Sequence, residues 1–203
     1  AIELTKYLYS EEIRIKLRNK MHLKDEFVWI HIGMFGKAKN HAFLLKLFAE
    51  YVKTKPNSFL ILCGDGPERD SIEKEIIRYQ ISNKVALLGV VENVNEYLMM
   101  ADILVLPSLC EGLPLVCIEG QATGCPIIAS TAIPKEALFC KNTVQCSEWN
   151  VKKWCHYIDQ LCNLNTNRIE GNEACKNNSY DIRLEALKLQ KTYLKMYDRV
   201  INQ

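Results

Sequence analysis

Short apolar runs that alternate with longer segments of helical periodicity constrain this chain more than any other feature. Phe27-Val28-Trp29-Ile30-His31-Ile32-Gly33 is a continuous apolar run without alternation, as expected of a strand buried on both faces. Similar runs lie at 59–63, at 85–88 ending on Gly89, at 102–106 and at 126–130, and 142–145 is a candidate sixth strand. Between them, Phe43, Leu44, Leu47, Phe48, Tyr51 and Val52 recur at helical spacing over 42–54. Further helices are expected over 68–79, 93–100 and up to Gly124. Strand and helix thus alternate roughly every 20 to 30 residues, the pattern of a doubly wound parallel α/β sheet with right-handed crossovers. A short surface helix precedes the first strand, reaching about Met21, and helices over 149–164 and 182–200 trail the last. The Asn- and Glu-rich stretch 163–178 reads as a solvated connection.

Bulk properties narrow the function classes. A chain of 203 residues that is 48% hydrophobic can bury one sizeable core. A net charge of +2 without a basic block gives no nucleic-acid footprint. Nine cysteines without a CxxC pair, several inside apolar runs (Cys63, Cys117), point to buried free thiols in a reducing compartment. No segment has the roughly 18 apolar residues needed to span a bilayer, and the amino end is no signal peptide. The expectation is a cytoplasmic domain. The chain starts at Ala1, which reads as a piece of something longer or as a processed start.

Ligands of doubly wound sheets bind beyond the carboxyl ends of the strands. Here those ends carry Gly33, then Gly64-Asp65-Gly66, then Gly89, then Pro107 to Gly112. The last leads into Glu111-Gly112-Leu113-Pro114-Leu115-Val116-Cys117-Ile118-Glu119, where two carboxylates stand eight residues apart. On one helix that spacing is about 800° of rotation and about 12 Å of rise, so both would line one face. The helix start between them would offer unpaired N–H groups and a positive dipole end to an anion.

Four stretches in register resemble the carboxyl-terminal, donor-binding half of a retaining glycosyltransferase of the GT-B fold, family 4. They are His31-Ile32-Gly33 with Lys39-Asn40-His41, Cys63-Gly64-Asp65-Gly66-Pro67-Glu68, Leu87-Leu88-Gly89-Val90-Val91, and 102–108 leading into Glu111 to Glu119. The resemblance implies a linker tail and short helix over 1–25, and a Rossmann-like nucleotide-sugar-binding core over 26–147. A helical segment packing on that core would occupy 148–203. It implies a nucleotide diphosphate sugar as substrate, UDP-sugar foremost, and hexosyl transfer to a glycan or lipid-linked acceptor in surface polysaccharide synthesis. Glu111 would accept from sugar hydroxyls, and Glu119 from the ribose. Lys39 would neutralise the leaving diphosphate, with backbone N–H groups of Leu115 and Val116 and the turn at Gly112 and Leu113. Val90 and Val91 would lie against the base, with Gly33 and Gly64 lining the same cleft. No cofactor and no metal is implied, and no Asp-x-Asp clamp is present. The partner implied is an amino-terminal acceptor-binding domain, through which the whole protein would reach the inner membrane face as a peripheral enzyme. This half alone is expected to be inactive.

The sequence departs from that family where a second diphosphate cation, an Arg, usually follows the first Gly. Met34 stands there. Lys37 is the nearest substitute, although a flexible point charge does not replace a guanidinium fork. Two other readings follow: a sugar-nucleotide 2-epimerase, which shares the two-domain architecture, and a degenerate donor-binding partner subunit. His31 reads as a core or strand-end residue and His41 as a surface residue of a first helical turn.

Overall fold

The computed structural model describes residues 1–164 and 167–201. Six parallel strands form one sheet: β1 (Phe27–Ile32), β2 (Ser58–Cys63), β3 (Val85–Gly89), β4 (Ile103–Leu106), β5 (Ile127–Ser130) and β6 (Thr143–Cys146). Their order is β3-β2-β1-β4-β5-β6. The chain therefore builds outward from β1, then returns to the other side of β1 with β4. That reversal makes the gap between β1 and β4 the switch point, where the loops at the carboxyl edge diverge and leave a crevice.

Continuous apolar runs are explained by two cores. Successive strand side chains point to opposite faces, so Trp29, Leu60, Leu62, Ile103 and Val105 face one core and Val28, Ile30, Ile61 and Leu104 the other. Helices α2 (His41–Thr54), α3 (Arg69–Arg78) and α6 (Val151–Cys162) cover the first. Helices α1 (Glu11–Lys20), α4 (Val94–Met100) and α5 (Leu115–Ala122) cover the second. Asn40 caps α2 and Asn150 caps α6, each side-chain oxygen accepting from a first-turn N–H.

Three expectations need correction. The connection 163–178 contains a helix, α7 (Glu170–Asn177), packed on α5. Its polar composition hides a small-residue stripe: Gly171 comes so close to α5 that a Cβ there would lie 1.9 Å from the Gln121 carbonyl oxygen. Cys175, one turn on, is fully buried with Ile2, Leu4, Ile118 and Ala122. The last helix, α8 (Ile182–Ile201), does not pack on the core as the segment 148–203 was expected to. Leu187, Leu189, Tyr193, Leu194, Met196 and Tyr197 are each more than half exposed. Periodicity reveals an apolar stripe but not what covers it. His41, expected on the surface, is buried beside His31, with ring centroids 4.7 Å apart.

The amino edge is closed by arginines. Arg14 and Arg18 both pair with Asp102 and donate to main-chain carbonyls around Met100. Arg168 donates to the carbonyls of Leu98, Met99 and Ala101 at the end of α4, where cations complement unpaired carbonyls and the dipole. A cavity of about 610 Å³ lies here among Arg14, Arg18 and Asp102. Arg14, Arg18 and Asp102 are committed to each other and to the main chain there. No described helix is long and apolar enough to cross a membrane.

Candidate functional site

The loops after β1, β2, β3 and β4 meet at the carboxyl edge, and main-chain bonds fix them to one another. Gly33 donates to the Cys63 carbonyl at 3.0 Å, Gly64 to Gly89 at 2.7 Å, Phe35 to Asp65 at 2.8 Å, and Leu109 to Ala38 at 2.7 Å. Gly64 has φ +144°, and a Cβ on it would lie 1.9 Å from the Gly33 carbonyl oxygen. Only glycine lets the first two loops approach this closely.

Lys39, in the 3-10 turn Lys37–Lys39 after β1, reaches across the switch point to Glu111 in the loop after β4. Its Nζ lies 2.6 Å from Glu111 Oε1, and the two side chains are 18% and 12% exposed. The hydroxyl of Ser108 donates to the same oxygen at 2.7 Å. Ser108 is fully buried, and its carbonyl accepts from the Ser130 hydroxyl at the end of β5. Gly33 gives the lysine its path: a Cβ at that position would lie 2.8 Å from Lys39 Cε. Next to Glu111 in the chain, a Cβ on Gly112 would meet nothing within 4 Å, so the loop itself borders open space at that position.

The expected single helix face carrying both carboxylates is not formed. Pro114 is the N-cap of α5, with extended φ and ψ, and helix begins at Leu115. Glu111 therefore stands in the loop, and Glu119 alone is on the helix. The first intrahelical bond is from Cys117 N–H to the Pro114 carbonyl, which leaves the N–H groups of Leu115 and Val116 as first-turn donors. Leu113 and Leu115 are exposed and Val116 is buried. Glu119 accepts from the Tyr7 hydroxyl at 2.7 Å. Burial, then this bond, push the phenol well above its usual range.

A cavity of about 390 Å³ opens between the first three loops, lined by Gly33, Met34, Gly64, Val90, Val91 and Val94. Its wall is mainly apolar, suited to a flat ring, and the exposed side chains of Met34 and Val90 form its rim. Lys37 does not share it. That lysine is exposed and lines another cavity, of about 290 Å³, with Asn40, His41 and Glu68. Lys37 thus does not stand where the missing Arg would.

Beneath Lys39 lie two neutral imidazoles. His31 donates from Nδ1 to the Val105 carbonyl at 2.8 Å. Burial lowers its pKa to about 4, and that of His41 to about 3. Lys39 adds to both shifts by repulsion. Among the described residues, no three His, Cys, Asp or Glu side chains are grouped so as to hold a metal ion. No local pattern in the sequence marks Tyr7 or Ser130, and Ser108 falls only at the end of the stretch 102–108.

The model of the family described as glycosyl transferases group 1 matches residues 13–181. The chain belongs to that family. Among similar proteins, EpsF of Bacillus subtilis strain 168, whose name describes a putative glycosyltransferase, is 40% identical over 112 residues, which are 55% of this chain and 29% of that protein. Alpha-monoglucosyldiacylglycerol synthase of Acholeplasma laidlawii is 34% identical over 123 residues, 59% of this chain and 31% of the relative. The matched segments thus cover about 30% of the length of these two relatives. The crystal structure of Anabaena HepE in complex with UDP and glucose superposes with a TM-score of 0.82 at 18% identity, covering 95% of this chain and 55% of that one. At that identity the match speaks for the fold: a Rossmann-like α/β domain of the kind found in GT-B glycosyltransferases.

Proposed function

We propose that this chain is the donor-binding half of a retaining glycosyltransferase of family 4 that takes a nucleotide diphosphate sugar, UDP-sugar foremost. The observation that carries the reading is the meeting of Lys39 and Glu111 across the β1/β4 switch point, beside the amino end of α5. One cation and a helix start suit a diphosphate; a carboxylate beside them suits sugar hydroxyls. Chemically, the group that needs help is the departing diphosphate. Lys39 and the Leu115 and Val116 N–H groups oppose the negative charge that grows on it as the glycosidic bond breaks. Glu111 orients the sugar, Glu119 takes the ribose hydroxyls, and the cavity at Val90 and Val91 takes the base. None of these steps asks a side chain of this half to carry a proton.

The remaining third of the assignment is the partner. These relatives are about three times as long as the segments matched, and the open carboxyl edge is where an amino-terminal, acceptor-binding domain would close over the donor. The acceptor is a glycan or a lipid-linked glycan in surface polysaccharide synthesis, handled at the inner membrane face by a cytoplasmic enzyme. The name of the Acholeplasma relative, a diacylglycerol glucoside synthase, supports a membrane acceptor within the family. Without that second half, this chain alone does not turn over.

Titration calorimetry with UDP, GDP and ADP tests the reading. One nucleotide binds, and Glu119→Ala weakens it; binding of none of the three removes the proposal. Met34 favours a second reading, a donor-binding subunit whose site has decayed. Met34→Arg separates the two. A gain of about tenfold or more in nucleotide affinity, about 1.4 kcal/mol, indicates decay, and a change within about twofold indicates a site that works with one cation.

A further inference from the structure

The two principal charges of the site hold each other. Glu111 Oε1 receives Lys39 Nζ at 2.6 Å and the Ser108 hydroxyl at 2.7 Å. The two donors are tethered differently. Ser108 is fully buried and fixed through its carbonyl to Ser130. Lys39 is a charge on a flexible four-carbon stem that rests against Gly33, and among the described residues its ammonium bonds only to Glu111. The loop carrying Glu111 is anchored by the Leu109–Ala38 main-chain bond. An anion arriving at the amino end of α5 competes for the mobile partner.

We infer that the Lys39–Glu111 ion pair is an exchange latch: the diphosphate draws Lys39 off Glu111, and Glu111, kept in place by Ser108, is thereby freed for the sugar. This rests on the reading of the site as a donor site. Its physical basis is that neither charge is left unpaired in a partly buried site before the donor arrives. An intact nucleotide sugar satisfies both groups at once, with phosphate on Lys39 and hydroxyls on Glu111. A nucleoside diphosphate without its sugar satisfies only Lys39 and leaves the Glu111 carboxylate short of one partner. The pair therefore re-forms once the sugar has gone, and it weakens the hold on the spent diphosphate. Affinity for the product is set lower than the bare site would give, in favour of release.

The test is a double-mutant cycle on UDP binding by calorimetry, using the chain as it stands. Glu111→Gln keeps the shape and still accepts from Ser108, but as a neutral acceptor it competes far less for Lys39. It binds UDP more tightly than the wild type, by about tenfold, the scale of one charge-assisted hydrogen bond. In a Lys39→Met background the same substitution changes UDP affinity by no more than about twofold, because there is no cation to release. Simple repulsion between carboxylate and phosphate predicts a gain in both backgrounds. Wild-type binding with no gain in Glu111→Gln, or with the gain retained in Lys39→Met, overturns the latch and leaves the donor site standing. Failure of the wild type to bind UDP, GDP or ADP overturns the donor site and the latch with it.

Discussion

Gly33 and Gly64 face each other across two loops, yet replacing them by alanine is expected to have opposite consequences. At Gly33 a Cβ meets Lys39 Cε at 2.8 Å, Cδ at 3.3 Å and Nζ at 3.4 Å. All three atoms belong to the far end of a flexible side chain, so the fold can yield by turning the lysine away. The cost then falls on the site: Lys39 no longer reaches Glu111 or an incoming phosphate. A charge-assisted hydrogen bond is worth about 1.5–3 kcal/mol, so Gly33→Ala should weaken UDP binding roughly 10- to 150-fold. Its melting temperature should fall by only a few degrees, from about 1 kcal/mol at 2–4 °C per kcal/mol for a chain of this size. At Gly64 the obstacle is backbone. The Gly33 carbonyl oxygen would lie 1.9 Å away, and φ is +144°. Neither can relax without parting the loops, so Gly64→Ala should cost about 3 kcal/mol or more. Calorimetric titration with UDP and thermal unfolding by circular dichroism read the two effects separately. Full UDP affinity in Gly33→Ala, or a loss of stability in it equal to that of Gly64→Ala, would refute the argument.

Three further outcomes follow from the structure. His31 and His41 stay neutral in the fold, with pKa values of about 4 and about 3, whereas the unfolded chain takes up those protons near 6.5. The unfolded state thus binds more protons below pH 6.5, and stability should fall as pH drops from about 6.5 to 4, by about 1.4 kcal/mol per pH unit per histidine. His41→Leu should flatten that acid limb in a series of melting curves against pH; an unchanged slope would count against it. Arg168→Ala removes three bonds to the end of α4 and should cost about 2 kcal/mol while leaving UDP affinity within about twofold, since it lies at the edge away from the site. Tyr7→Phe removes the hydroxyl held by Glu119 and should lower stability by about 1 kcal/mol, read as a small shift in urea midpoint with an unchanged slope.

The strands were legible because both faces of the sheet are covered: Trp29 and Ile30 point into different cores, and the run between Phe27 and Gly33 has no polar side to break it. The site was legible in outline for a related reason. Every motif follows directly on a strand, and parallel strands deliver all their carboxyl ends to one edge. Its internal geometry was not. Spacing alone put Glu111 and Glu119 on one helix, but the extended conformation of Pro114 delays the helix to Leu115 and leaves Glu111 on the loop. The bond between Tyr7 and Glu119 joins positions 112 apart in sequence, with no local signal at either end. His41 follows an N-cap asparagine and so looks like a surface residue, yet the turn from Lys37 to Lys39 rolls it inward against His31 and Phe35. Helix α7 was hidden by composition, since its contact with α5 is made by the smallest residues it has.

The central claim is that the carboxyl edge at the β1/β4 switch point holds a nucleoside diphosphate. Hydrogen–deuterium exchange of the chain with and without saturating UDP tests it most directly. The account predicts slowed exchange in 33–40, 64–66, 89–91 and 111–119, and little change around Arg14, Arg18 and Arg168 at the amino edge. Protection confined to the amino edge, or none at saturating UDP, would contradict it.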